Sequence, residues 1–340
     1  MNITILFIIT LSANILFLLY FENISKSLSI IDKPDGKLKK HEKPVSLLGG
    51  FVILVNLYLV SFLINLLNLD YLIFKNHFIM IILILSTLFY LIGILDDLKN
   101  LDPNLKLFLI IISIGFSTYL FPELNLKLIK ISFLDKNFYF NNFSFFFTIL
   151  SFALLLNALN MFDGINLQLI LFTSFIYFLF IFKGFVPIFF ILLLIPMSVL
   201  AFLNLRNKIF LGDGGAYIIG AIIGSTFIYQ YKYFENFLYG DEIFLILLIP
   251  AIDMLRLFIV RIFKKQHPFK GDLNHLHHIV NSFIKNKNLT ILITLSLCIF
   301  PSLLMFLKLE TYLILILNLI LYLGLILFFV IKKKNFQSSE

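Results

Sequence analysis

The chain has 340 residues, of which 60% are hydrophobic and only 14% charged. A soluble domain carries about 45–50% apolar and about 25% charged residues, so this composition excludes a soluble globular enzyme, a disordered chain and a nucleic-acid-binding module and points to a polytopic membrane protein. The net charge of +8 then becomes a question of which side of a bilayer the cations occupy, and the single Cys298 leaves neither an intrachain disulfide nor a cysteine-based metal site.

A spanning helix needs about 20 mostly apolar residues. Eleven such stretches are predicted, near 2–21, 47–69, 77–95, 105–121, 143–156, 166–182, 184–203, 215–232, 242–262, 289–308 and 311–331. The fifth is short and the eighth is rich in glycine. The first lacks a basic leader and a small-residue cleavage site, so it is read as a span and not as a cleaved signal. With no internal repeat and no soluble appendage, residues 1–334 are expected to form one all-α transmembrane helical bundle, followed by a short tail at 335–340.

Eleven spans place the two termini on opposite sides. One set of loops (22–46, 96–104, 157–165, 204–214, 263–288) and the C-terminal tail, with the adjoining helix ends, carries 20 of the 27 Lys and Arg. The positive-inside rule makes that set cytoplasmic, the N-terminus outside and the C-terminus cytoplasmic. The same side holds nine of the twelve aspartates. Acidic residues contribute little to orientation. Carboxylates crowded among Lys, Arg and His on one face therefore read as a site for a divalent metal and an anionic ligand.

Five local motifs lie on that side. The first loop contains Asp32-Lys-Pro, Lys40-His41 and Gly49-Gly50. A basic loop against anionic lipid head groups is the plainer reading; Lys40 and His41 equally suit a phosphate. The third span ends in Asp96-Asp97, with Lys106 at the mouth of the next. Paired carboxylates at a membrane-helix end are costly without a job or access to water. On a helix the two project about 100° apart, so one can meet a metal while the other meets substrate. The fifth span ends in Asn157-x-x-Asn160-x-x-Asp163-Gly164-x-Asn166, three polar groups on one face if helical, with Gly164 as a helix stop. The alternative is interhelical hydrogen bonding.

Before the eighth span, Phe210-Leu-Gly-Asp213-Gly-Gly precedes a helix whose N-terminus offers free N–H groups suited to phosphate, with Asp213 beside it to hold a cation. A turn closed by an N-capping Asp213 is the local alternative. The last loop holds His267 and His275-x-His277-His278, four of the six histidines. It lacks the spacing of a zinc site, so imidazoles contacting phosphate or sugar hydroxyls are expected. Asp253, Arg256 and Arg261 precede it, as braces or anion ligands.

In this order, and covering residues 32–278, these motifs resemble the polyprenyl-phosphate N-acetylhexosamine-1-phosphate transferases, in the bacterial undecaprenyl-phosphate GlcNAc-1-phosphate transferase-like branch. The family's eleven-helix architecture agrees with the span count. The chain departs from it at Asn100, where a third acid is usual with Asp102 two residues later, at Leu273 in place of an arginine, and at Ala216 in place of Ser or Thr.

The resemblance implies that the phosphate of undecaprenyl phosphate attacks the β-phosphorus of a UDP-N-acetylhexosamine, releasing UMP, at the cytoplasmic face of the cell inner membrane, as the first step of a cell-surface glycan. It implies Mg²⁺ (or Mn²⁺) on Asp213 with Asn160, and Asp96 or Asp97 at the lipid phosphate. Lys106 and Lys40 would meet diphosphate oxygens, with His41 nearby. Asn157, Asp163 and Asn166 would lie on the nucleotide side, and His275, His277 and His278 against sugar or phosphate. The bilayer is a partner, nucleic acid is not, and a homodimer is compatible. The rival readings are an ion-coupled transporter of an anionic solute, disfavoured by polar residues gathered at span ends without a repeat, and an inactive scaffold, disfavoured by the intact acids.

Overall fold

The computed structural model describes residues 2–32, 34, 43–67, 69, 76–234, 237–268 and 272–337. Lys40 and His41 lie outside the described residues. Among the described residues are twelve α-helices: α1 (Asn2–Leu28), α2 (Gly49–Leu66), α3 (Asn76–Lys99), α4 (Pro103–Leu120), α5 (Ser144–Phe162), α6 (Gln168–Lys183), α7 (Pro187–Leu205), α8 (Gly212–Tyr233), α9 (Gly240–Phe263), α10 (Leu276–Ile284), α11 (Lys287–Phe306) and α12 (Thr311–Gln337). Two antiparallel hairpins accompany them. One pairs β1 (Ile31–Asp32) with β2 (Val45–Ser46), and the other pairs β3 (Leu128–Ile131) with β4 (Lys136–Tyr139).

All eleven expected segments are helices. Nine are long and apolar enough to cross a bilayer; α6, at 16 residues, is apolar but shorter. Helix α8 has the length but not the apolarity, and its residues from Gly214 to Phe227 are all buried within the protein. A helix that faces only other helices has no lipid to satisfy, so glycines and hydroxyls replace bulky apolar side chains on it. The third, fifth and eighth helices are longer than expected at the motif end. Asp96, Asp97, Asn157, Asn160 and Asp213 therefore sit on helical turns, where their spacing fixes which way they face. The β3–β4 hairpin and α10 were not foreseen.

Glycine sets how the centre packs. Gly93 of α3 lies on the backbone of Gly214 in α8, and Gly50 of α2 lies on Gly214 and Gly215; no Cβ fits at either position. Close backbone approach of this kind is the main attraction available between helices in lipid. Helix ends are closed by recognisable devices. Asn100 takes a left-handed φ of +49° after α3, a conformation asparagine tolerates better than most residues. Asp102 caps α4, accepting from Asn104 N at 2.9 Å and Leu105 N at 3.3 Å, with Pro103 in the first turn. The acid displaced from position 100 to 102 is thus a helix cap.

Polar side chains pin the outer helices. Asn14 of α1 and Asn56 of α2 exchange amide hydrogen bonds at 2.7 and 3.3 Å. Pro301 in α11 removes the N–H that Leu297 O would otherwise receive, and Asn318 of α12 donates to that carbonyl at 3.4 Å.

Candidate active site

Four helix ends meet at the motif end of the bundle: the last turns of α3 and α5 and the first turns of α4 and α8. Their charges form one cluster. Asp96 accepts from Leu101 N at 2.8 Å through Oδ1 and from the Lys106 ammonium at 2.6 Å through Oδ2. The same ammonium binds Asp213 Oδ2, to which Asn160 Nδ2 also donates at 3.2 Å. Side-chain exposure is 16% for Asp96, 16% for Lys106 and 25% for Asp213. Charges this sheltered need partners, and one lysine between two carboxylates supplies them. The ammonium also lies 5.2 Å from the Tyr217 ring centre, within cation–π range.

Asp97 has a different job. Its Oδ1 accepts from Asp213 N at 3.1 Å, so it occupies the N-terminus of α8 from the neighbouring helix. Gly212, at φ +68°, leaves no space for a Cβ beside the Asp97 carboxylate. The sequence expectation placed a phosphate, or Asp213 itself, at those amides. Instead Asp97 reaches the α8 N-terminus from α3, meeting the Asp213 N–H and the positive end of the helix dipole.

The end of α5 supplies two amides. Asn157 donates Nδ2 to Ala153 O at 2.7 Å and lines the central cavity with Asn160. Asp163 follows the helix. Burial, and then the charge of Asp213, raise its pKa to about 7. Gly164 is not a left-handed helix stop, because positive φ occurs only at Gly184 and Gly212 among the described glycines. Its missing Cβ makes room for the His277 ring, which lies against it. Asn166, expected on the nucleotide side, donates Nδ2 to Asn204 O at 2.8 Å and to Asn207 Oδ1 at 2.7 Å. In this arrangement it is a loop tie.

The histidines divide. His275 is held by Asp253, Nδ1 to Oδ2 at 3.0 Å, and lines the cavity. A carboxylate can only accept, so Nδ1 carries the proton in this contact. Asp253 is itself fixed by Arg256 Nη2 at 2.8 Å and Tyr322 OH at 2.9 Å. His277 is 2% exposed and does not line the cavity. Gln168 Nε2 lies 3.4 Å from its Nδ1, and its buried Nε2 has no hydrogen-bond partner among the described residues. Burial, then the neighbouring His278 and His275, hold its pKa well below 6.5. His277, expected against sugar or phosphate, lies against Gly164 and Gln168 in this arrangement. Its ring stands between α10 and the loop at Gly164, with His278 beside it at 4.2 Å between ring centres.

Arg261 was foreseen only as a brace or an anion ligand. It is 2% exposed and lines the same cavity. Nε donates to Asp272 at 2.9 Å and Nη1 to Pro268 O at 2.5 Å, while Nη2 is buried with no partner among the described residues. Burial opposes the charge on Asp272, but the bonds from Arg261 and from Asn274 N outweigh it and hold that carboxyl below its ordinary range. Asn204 was not singled out in the sequence at all. An asparagine after an apolar span carries no local signal.

The cavity bounded by Asp96, Lys106, Asn157, Asn160, Arg261 and His275 has a volume of about 190 Å³. That is below the roughly 300–1,000 Å³ that encloses a whole small-molecule ligand, and it suits a diphosphate whose remaining parts lie outside. No group of three or more His, Cys, Asp or Glu able to hold a metal occurs among the described residues. Magnesium fits such a donor set, because it binds through one or two carboxylates and keeps waters and substrate phosphates as its other ligands.

Fold and cluster together define a multi-pass membrane protein with an acid–lysine–amide site at the end of its helices. Residues 79–231 match the model of glycosyl transferase family 4. The undecaprenyl-phosphate alpha-N-acetylglucosaminyl 1-phosphate transferase of Thermotoga maritima is 27% identical over 284 residues, 80% of each chain. The Escherichia coli K12 enzyme of the same name is 25% identical over 295 residues, 83% of this chain and 77% of that one. A probable undecaprenyl-phosphate N-acetylglucosaminyl 1-phosphate transferase of Bacillus subtilis is 25% identical over 302 residues, 86% and 81% of the two chains. The match over residues 79–231 and these relatives together support a place in glycosyl transferase family 4.

Proposed function

We propose that this protein transfers a sugar-1-phosphate, N-acetylglucosamine-1-phosphate or a related N-acetylhexosamine-1-phosphate, from a UDP-sugar to undecaprenyl phosphate, at the cytoplasmic face of the cell membrane. An oxygen of the lipid phosphate forms a bond to the β-phosphorus, the bond from that phosphorus to the bridging oxygen breaks, and UMP leaves. The observation that carries this reading is the Asp96–Lys106–Asp213 cluster beside a phosphate-sized cavity next to lipid-facing helix surface.

Such a transfer is mostly positioning and charge neutralisation. Lys106 meets diphosphate oxygens, and Arg261 Nη2 and His275 lie across the same cavity. A phosphate monoester has its second pKa near 6, so the lipid phosphate is already largely dianionic at neutral pH. Asp96 therefore orients it and needs to remove no proton. Asp97 is committed to α8, which leaves Asp96 as the acid for this role. Asp213 and Asn160 would hold Mg²⁺, which supplies charge neutralisation at the transferred phosphate. On α5, Leu150, Leu154, Asn157 and Met161 share one face. The two leucines are exposed, and the other two line the cavity. Exposed Leu105 and Phe108 of α4 and Ile262 and Phe263 of α9 belong to helices packed on α5. This apolar track suits a polyprenyl tail.

The test incubates purified protein with undecaprenyl phosphate, Mg²⁺ and a panel of labelled UDP-sugars. Lipid-linked label appearing together with UMP is the expected result, and the preferred donor names the sugar. No turnover with any donor, from a folded preparation, overturns the proposal.

A further inference from the structure

Asn204 touches neither the cavity nor any charged site residue, yet it joins the two loops that carry the site. It closes α7 and is 4% exposed. Its side chain is used at both ends. Oδ1 accepts from Leu167 N at 2.6 Å, and Nδ2 donates to Ile209 O at 2.6 Å. Its backbone carbonyl takes Asn166 Nδ2 at 2.8 Å and Asn207 N at 3.0 Å. Leu167 belongs to the segment following Asn160 and Asp163, and Ile209 to the segment leading into Asp213.

Both segments are strained or tightly built. Leu167 has φ +70°, a left-handed backbone that a branched side chain adopts only where its surroundings insist. On the other loop, Phe210 N donates to Ser46 O at 2.8 Å, and Gly49 N and Gly50 N donate to Phe210 O and Leu211 O at 3.1 Å each. Asp97 then fixes Asp213 N. The Asp213 loop is thus held by β2 and α2 on one side, by α3 through Asp97, and toward the α5 loop by Asn204 together with the Asn166–Asn207 side-chain bond. The Asn160–Asp213 contact at 3.2 Å spans the gap that Asn204 sets.

We infer that Asn204 is the positioning residue that keeps the Asn160–Asp163 loop in register with Asp213. The inference rests on the transferase reading only for its kinetic consequence. Asn204→Ala removes both side-chain bonds. Amide hydrogen exchange should then rise together in peptides covering 163–168 and 207–212, with the α3–α8 core unchanged. Misplacement by about 1 Å costs about a hundredfold in rate, so kcat should fall by that order while KM for the nucleotide sugar changes little.

The left-handed Leu167 provides the control. Glycine adopts φ +70° without help, so Leu167→Gly alone should be close to wild type. The Asn204→Ala/Leu167→Gly double variant should recover part of the lost protection in 163–168 and part of kcat. Raised exchange in only one of the two peptides, or a double variant no better than Asn204→Ala, overturns the inference. If the wild-type protein turns over no nucleotide sugar, the functional reading fails, and the exchange experiment still decides the coupling. Should Asn204→Ala fail to fold, Asn204→Asp tests the same link. It keeps the acceptor for Leu167 N and sets a carboxylate against Ile209 O, so protection should be lost in 207–212 first; loss in 163–168 first overturns it.

Discussion

Two sheltered aspartates stand at opposite ends of α8, and they are built differently. Asp213 begins that helix; Asp241, one short loop beyond its other end, begins α9, about 33 Å away along 22 residues. Asp241 is 6% exposed. It accepts from Ser132 N at 2.9 Å, from Ser132 Oγ and from Thr311 Oγ1. All three donors are neutral, and together they fasten the β3–β4 hairpin to α9 and α12. Asp213 is more exposed, shares with a second carboxylate a lysine that lines the cavity, and has a third carboxylate at its backbone. A buried acid is thus no evidence of chemistry by itself. Carboxylates crowded around too few cations are, because only an incoming cation or a phosphate–cation pair relieves them.

The sharpest way to break this contrast is to neutralise each acid in turn. Asp213→Asn should reduce kcat by about a thousandfold, the scale of losing an electrostatic group aimed at the reacting centre, with little change in melting temperature in detergent. Activity within about tenfold of wild type would take Asp213 out of the site. Asp241→Asn should do the reverse. The amide cannot accept all three bonds, so stability falls by about 1–3 kcal/mol, while kcat of the folded fraction stays at the wild-type value. A large loss of kcat with unchanged melting would mean that the far end communicates with the site.

What the sequence made legible follows the same line. Composition and span spacing gave the helices, because lipid leaves the backbone few other choices. Asp96, Lys106, Asn160 and Asp213 were identifiable because charge at span ends is expensive, and they do converge. Asp97, Asn166 and His277 were not separable from them by type or position. Asp97 differs from Asp96 by one helical step, which turns it toward the N-terminus of α8. Asn166 and Asn204 make sense only once two loops distant in sequence lie side by side. Lys40 and His41 fall outside the described residues, and their expected role at phosphate stands as a proposal.

The difference between neighbouring acids gives a smaller, more discriminating prediction. Asp97→Asn keeps an oxygen to accept from Asp213 N and loses the charge at the α8 N-terminus. A charge at a helix end is worth about 1 kcal/mol, so kcat should fall by about tenfold, far less than for Asp213→Asn. Equal losses in the two variants would show that the Asp97 charge acts on substrate directly.

The smallest effect concerns His277, whose ring faces Gly164 and Gln168 and does not line the cavity. Its folded pKa lies well below 6.5 because burial and the adjacent imidazoles oppose the charge. The unfolded chain binds that proton near pH 6.5, and the folded protein does not. Stability conferred by the neutral ring is therefore fully present above about pH 6.5 and declines as pH falls below it, by up to about 1.4 kcal/mol per pH unit for one proton. Wild-type protein in detergent should lose melting temperature on acidification from neutral pH, and His277→Gln should show a shallower loss. Activity of His277→Gln at neutral pH should stay within a few-fold of wild type, since Gly164 and Gln168, and not the cavity, face this ring. Parallel acid slopes in the two proteins would mean that the folded ring does take up a proton, and a collapse of kcat at neutral pH would return His277 to the ligand.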